Sequence, residues 1–173
     1  YSNVLKFDPK NPKNPNRDYF ILSKGHGAVA LYTVLNKHKI LNEKHINLYG
    51  NKKGVLGGHP DMTKVPGAEA STGSLGHGFP TAVGLALGLR ILNKKNKVFV
   101  LLGDGECHEG TIWEAANIAS NLRLGNLCAI VDWNGSAKQL MPRDELLKKW
   151  KAFGWKSNLM DGHSNDSMKK KFR

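Results

Sequence analysis

Val98-Phe99-Val100-Leu101-Leu102-Gly103-Asp104-Gly105-Glu106 opens the stretch that decides the fold, and Leu127-Cys128-Ala129-Ile130-Val131-Asp132-Trp133-Asn134 closes it. The first run is apolar and rich in β-branched residues up to Gly103. That is the pattern of a strand buried on both faces of a parallel sheet. The second run has the same character from Leu127 to Val131. Between them Ile112, Ala115, Ala116, Ala119 and Leu122 recur at helical spacing, so the stretch predicts strand, helix, strand. Parallel βαβ units carry ligands at the carboxyl ends of their strands. Asp104 falls at one such end and Asn134 at the next, so the two are expected to be neighbours in space.

A carboxylate and a carboxamide oxygen together are hard donors of the kind Mg²⁺ takes, with phosphates and water completing the octahedron. Gly103 and Gly105 let the backbone come close to a phosphate. The tripeptide by itself leaves two readings open, a Mg²⁺–diphosphate cradle or a plain turn, because Gly and Asp populate turns freely. The Asn at the end of the next strand favours the cradle.

Outward from this unit the chain predicts a short strand over 18–23, a helix over 28–37 with Leu31, Val34 and Leu35 on its apolar side, and a helix over 42–49. A Gly-rich loop over 50–60 follows. Residues 80–92 form a helix that is apolar nearly all round, hence buried. Gly84 and Gly88 on it read as sites of close helix approach in the core. A helix over 142–153, a strand over 154–160, a turn at Asp161-Gly162-His163 and the start of a helix in the basic tail complete the pattern. Residues 1–17, punctuated by Pro9, Pro12 and Pro15, read as an exposed leading loop. Residues 18–173 read as one partial domain.

The chain has 173 residues and a net charge of +12. Its lysines are scattered rather than gathered on one helix, and no nucleic-acid motif is present, so a nucleic-acid partner is not expected. No transmembrane span or signal peptide is legible. Two cysteines suit a reducing cytoplasm. Cys107 and His108 lack a second pair, which argues against zinc.

Gly103-Asp104-Gly105 followed about thirty residues later by Asn134 resembles the thiamine diphosphate motif. Ser23-Lys24-Gly25-His26, Gly58-His59-Pro60 and Thr72-Gly73-Ser74-Leu75-Gly76 precede it in the order seen in the transketolases, and the resemblance runs from Tyr19 to His163. It implies an α/β fold, a doubly wound, mostly parallel sheet with flanking helices, incomplete at both ends. It implies thiamine diphosphate and Mg²⁺ as cofactors, with Ca²⁺ or Mn²⁺ able to stand in for the metal. By resemblance, Asp104 and Asn134 ligate the metal with the backbone carbonyl of Ser136, and Gly105 lies at the diphosphate. Gly73, Ser74 and Leu75 contact the pyrimidine, and His26 contacts the cofactor. His59 faces the substrate hydroxyls near the reacting carbon. Glu109 and Glu114 join two cofactor sites across a dimer interface; as residues alone they are also ordinary carboxylates at a helix N-terminus. His77 stands where the family more often has Gln, and it carries no assigned role.

The resemblance further implies transfer of a two-carbon ketol unit between sugar phosphates in the cytoplasm. A second, pyrimidine-binding section is needed as a domain or subunit, in a homodimer or heterotetramer, and the fragment alone is expected to be inactive. A deoxyxylulose-phosphate synthase is the rival, disfavoured by Gly58-His59-Pro60 with Gly73 to Gly76. A non-catalytic module of the same fold is disfavoured by the presence of both Asp104 and Asn134.

Overall fold

The structure is a computed structural model that describes residues 4–139, 141, 142 and 145–172. Its centre is a three-stranded parallel sheet of β1 (Tyr19–Leu22), β2 (Val98–Gly103) and β3 (Leu127–Asp132), in the order β1-β2-β3. The register pairs Leu22 with Leu101 and Gly103 with Asp132, so all three carboxyl ends lie together at one edge. The helices are α1 (Ala28–Lys37), α2 (Glu43–Asn47), α3 (Gly78–Ile91), α4 (Gly110–Asn121), α5 (Leu146–Ala152) and α6 (Asn165–Phe172).

Successive strand residues point to opposite faces, and the core divides accordingly. Ile21, Val98, Val100 and Leu102 pack under α3 and α4, against Phe79, Ala82, Ala86, Ile112 and Ala116. Leu22, with Phe20 and Leu101, packs on the other face against Leu31 and Leu35 of α1 and against Leu41, Leu56 and Val65. Helices on both faces of a parallel sheet make the expected doubly wound layer.

Three helices end in the same way without glycine. Lys39, Asn93 and Arg123 take φ of 60°, 52° and 50° just beyond α1, α3 and α4. The next residue in each case closes the turn, with Ile40, Lys94 and Leu124 amides donating to Leu35, Leu89 and Ala119 carbonyls at 2.9, 2.8 and 3.0 Å. This is the Schellman ending, which usually employs glycine.

Four details differ from expectation. First, among the described residues β3 is an edge strand rather than a fully buried one: only Leu127 is buried, and the rest is half-buried. Second, α3 is not buried all round. Ile91 and Leu92 are exposed, and a Cβ built on Gly84 or Gly88 would meet nothing within 4 Å, so the close approach those glycines permit is not made among the described residues. Third, residues 155–160 join no ladder, and their apolar content goes elsewhere. Trp155 stacks with Trp150 (ring centroids 5.0 Å apart) and Phe79 (5.9 Å), and its Nε1 donates to the Ala116 carbonyl at 3.0 Å. Trp113 completes this aromatic cluster, 5.3 Å from Trp150. Fourth, the helix expected over 142–153 begins at Leu146; Arg143 and Asp144 lie outside the described residues.

The segment before β1 is largely exposed loop, but its end is pinned. Asp18 accepts the Lys6 and Lys97 amides at 2.8 and 2.7 Å. Arg17 pairs with Glu69 at 2.8 Å and lies 4.1 Å over the Tyr19 ring.

Candidate cofactor-binding site

Each strand of the sheet ends in a loop, and the loops converge. β1 runs into Ser23-Lys24-Gly25-His26, β2 into Asp104-Gly105-Glu106, and β3 into the turn at Asn134-Gly135-Ser136. A fourth loop, Thr72 to Gly76, lies across the first. Thr72 Oγ1 donates to the Leu22 carbonyl at 2.7 Å. A Cβ on Gly25 would stand 2.6 Å from the Gly73 nitrogen, so main chain meets main chain there and only glycine fits. Gly73, at φ +151°, would place a Cβ 2.9 Å from Cγ of His59, which seats the Gly58-His59-Pro60 loop on the same cluster.

Asp104 is 2% exposed and is met by hydrogen-bond donors on both oxygens. Oδ1 accepts from the Gly105 amide at 2.9 Å and from Ser136 Oγ at 2.8 Å, and Oδ2 accepts from the Gly135 amide at 2.8 Å. Burial works to raise its pKa and is the largest single influence. The hydrogen bonds from Ser136, Gly105, Gly135 and Ala137 together outweigh it and hold the carboxyl below its ordinary value. Among the described residues this buried anion has no ion-pair partner, and its hydrogen-bond donors alone keep it ionised. The Asp104 carboxylate, the Asn134 carboxamide and the Ser136 main chain are hard oxygen donors of the kind a divalent metal takes, and they are the oxygens that could hold one here.

The expected adjacency of Asp104 and the end of β3 is made through Gly135 and Ser136. Asn134 itself bonds within its own turn and to the end of β3. Its Nδ2 donates to Asp132 Oδ2 at 3.2 Å, and its Oδ1 accepts the Ser136 amide at 2.8 Å. Asp132 in turn accepts from Lys24 Nζ at 2.6 Å, so the first and third loops are tied by an ion pair. That hydrogen bond from Lys24 is the main reason the Asp132 carboxyl titrates below its ordinary value.

Sequence reasoning missed the residue that gathers most of these loops. Glu106 is 1% exposed. Its Oε1 accepts from Ser23 Oγ at 2.5 Å and from the Gly76 amide at 3.1 Å, and its Oε2 accepts the Gly103 amide at 3.2 Å. The signal was its place: a carboxylate between Gly105 and Cys107 directly after a buried strand, where an ionised side chain is seldom buried unless its oxygens are met. Gly76 is held from its other side too, its carbonyl accepting from Thr111 Oγ1 at 2.8 Å.

The remaining candidates lie around this core. His26, His59 and Ser74 are exposed on the loops, and Leu75 is half-buried. Glu109 is the residue before α4, exposed and without a side-chain capping bond, and Glu114 is exposed in the second turn of that helix. A Cβ on Gly76 would come within 2.8 Å of Glu109 Cβ, which puts Glu109 beside the 73–76 loop. His77 Nδ1 lies 3.1 Å from the Leu75 carbonyl.

The family model of the transketolase thiamine diphosphate binding domain matches residues 1–172. The chain belongs to the transketolase family. Among its transketolase relatives, one component of the apulose-4-phosphate transketolase of Actinobacillus succinogenes is 44% identical over 94% of this chain and 61% of its own length. A 6-deoxy-6-sulfo-D-fructose transketolase subunit from a Clostridium species is 39% identical over 97% of this chain and 63% of its own length. The chain thus spans about three fifths of the length of these two relatives, and 28% of the length of the human transketolase, to which it is 36% identical. The crystal structure of a Campylobacter jejuni transketolase superposes with a TM-score of 0.90 at 28% identity, covering 96% of this chain and 28% of that one. Among the described residues no helix is long and apolar enough to cross a membrane.

Proposed function

We propose that this chain supplies the diphosphate-binding half of a thiamine diphosphate- and Mg²⁺-dependent enzyme that moves a two-carbon ketol unit between sugars. The observation that carries the reading is the buried, ionised Asp104 at the end of β2, held against the turn that follows Asn134 at the end of β3. Family membership supports the choice of cofactor. Thiamine diphosphate, when bound, supplies the electron sink that stabilises the carbanion of ketol transfer.

The chain's own residues have separable tasks. Asp104, Asn134 and the Ser136 carbonyl hold the metal, and Gly105 leaves room for the diphosphate. Gly73, Ser74 and Leu75 line the pyrimidine side, with His26 also contacting the cofactor. His59, seated on Gly73, orients substrate hydroxyls and carries a proton to or from them. Glu109 and Glu114 link two such sites across a dimer interface. The second, pyrimidine-binding section comes as another domain or subunit, giving a homodimer or heterotetramer in the cytoplasm. The substrates are anionic sugars. Relatives whose names carry a sugar phosphate and a sulfo-sugar support that class, and so does the net charge of +12.

The test is calorimetric titration of thiamine diphosphate with Mg²⁺ into the protein completed by its partner section. Binding that is lost in Asp104→Ala supports the reading. Equal binding by wild type and Asp104→Ala, or ketol transfer by the present chain without a partner, contradicts it.

A further inference from the structure

We propose that Glu106 is a positioning residue for the cofactor cradle, its carboxylate setting the spacing between the loop that begins at Ser23, the 73–76 loop and the end of β2. The assignment rests on the thiamine diphosphate reading above and adds a residue to it.

The geometry is specific. One carboxylate receives a hydroxyl from the Ser23 loop, an amide from the 73–76 loop and an amide from the last residue of β2. The Gly103 amide is three residues away and local, but Ser23 and Gly76 lie 83 and 30 residues away, beyond the reach of local turn chemistry. The proposed cofactor contacts lie on the anchored segments: Leu75 is next to Gly76, Asp104 is next to Gly103, and His26 is three residues beyond Ser23. Glu106 reaches none of the reacting atoms itself. It acts by fixing how far the ring contacts stand from the metal end, and a cofactor gripped at both ends is sensitive to that distance. The backbone of this nest has little room to compensate. A Cβ on Gly25 would strike Gly73, and one on Gly78 would stand 2.6 Å from Ser23 Cα, so the loops are already in main-chain contact.

The substitution Glu106→Gln grades the effect. A carboxamide can keep its oxygen toward Ser23 and Gly76, but it then turns an N–H₂ toward the Gly103 amide, donor against donor. Glu106→Ala removes all three acceptor bonds. Groups that hydrogen-bond metal ligands typically change affinity by roughly 10–100-fold, and Glu106 acts one step further out, through the backbone of the loops, so the low end of that range applies. We expect thiamine diphosphate affinity, measured with saturating Mg²⁺ on the partner-completed protein, to fall by roughly tenfold in Glu106→Gln and further in Glu106→Ala. Trp155→Phe, in the aromatic cluster, serves as the control. It is expected to lower the thermal midpoint and leave cofactor affinity unchanged; a merely structural Glu106 would behave like it, with the midpoint lowered and affinity unmoved in Glu106→Gln and Glu106→Ala. If Glu106→Gln does not fold, Ser23→Ala carries the test, since it deletes one donor to the same carboxylate and is expected to weaken the cofactor several-fold. Folded Glu106→Gln or Ser23→Ala binding within twofold of wild type overturns the assignment alone. Failure of the wild type to bind thiamine diphosphate overturns the cofactor reading and the assignment with it.

Discussion

Removing the hydroxyl of Ser136 should destabilise the metal-free protein and strengthen metal binding by the same free energy. Ser136 Oγ donates to Asp104 Oδ1 at 2.8 Å. A carboxylate has about four lone-pair directions, and the amides of Gly105, Gly135 and Ala137 take up three of them. A metal ion that binds Asp104 must displace a donor, and the hydroxyl is the one that can rotate away without moving the backbone. A hydrogen bond to a charged group is worth about 1.5–3 kcal/mol. Ser136 is exposed, so water replaces part of that, and about 1 kcal/mol is the working figure for Ser136→Ala. In the metal-free protein this lowers the thermal midpoint by roughly 2–4 °C. The same 1 kcal/mol no longer has to be surrendered on binding, which raises affinity for Mg²⁺–thiamine diphosphate about fivefold. At saturating ligand the two proteins should melt together. The pH dependence follows from the depressed pKa of Asp104. A lowered carboxyl pKa contributes stability that is present above the unfolded value of about 4 and is lost as pH falls through the folded value. The gap between wild type and Ser136→Ala in the absence of metal is therefore full at pH 7 and closes in acid. Differential scanning calorimetry with and without ligand, paired with titration calorimetry, reads all of this. Weaker binding by Ser136→Ala would refute the reasoning, because the side chain would then belong to the bound state.

Three further outcomes are expected. Gly25→Ala forces a Cβ to within 2.6 Å of the Gly73 nitrogen; overpacking of this kind costs about 1–3 kcal/mol, and chemical denaturation together with cofactor titration should show stability and binding falling together. Arg17→Ala strips the partner from Glu69, a carboxyl that burial already raises above its ordinary pKa although Arg17 opposes the shift. The variant should lose about 2 kcal/mol at neutral pH. A raised carboxyl pKa makes its contribution present in acid and lost as pH rises through the folded value, so the deficit should shrink toward pH 4 in urea melts across pH. Arg123→Gly relieves a left-handed ending at the exposed terminus of α4 and should gain about 0.5–1 kcal/mol on denaturation.

The strands β1 and β2 and the helices α1 and α4 were legible because one hydrophobic period dominates each. Ile112, Ala115, Ala116 and Ala119 face the sheet as their spacing implies. Residues 155–160 misled because Trp155 looks like the start of a strand but is consumed by ring packing with Trp150 and Phe79. In α3 the composition is apolar on every side, yet no periodicity tells a covered face from an open one. The site was legible as a set of residue types at strand ends. Its wiring was not. The contacts from Glu106 to Ser23 and from Lys24 to Asp132 span 83 and 108 positions, and such pairings depend on sheet order and register rather than on any local pattern. Asn134 shows the same limit: its place at the end of β3 could be read, but its hydrogen bonds to Asp132 and the Ser136 amide could not.

The outer margin of β3 has a practical side. Among the described residues no strand pairs along it, and Leu127 to Val131 contains neither a charged residue nor a proline to act as gatekeeper. A bare seam of main-chain donors and acceptors flanked by aliphatic groups invites zipping to any extended neighbour. A preparation of this chain by itself should accordingly clump as it is concentrated, and its +12 charge, scattered along the whole chain rather than gathered on that seam, should do little to prevent it.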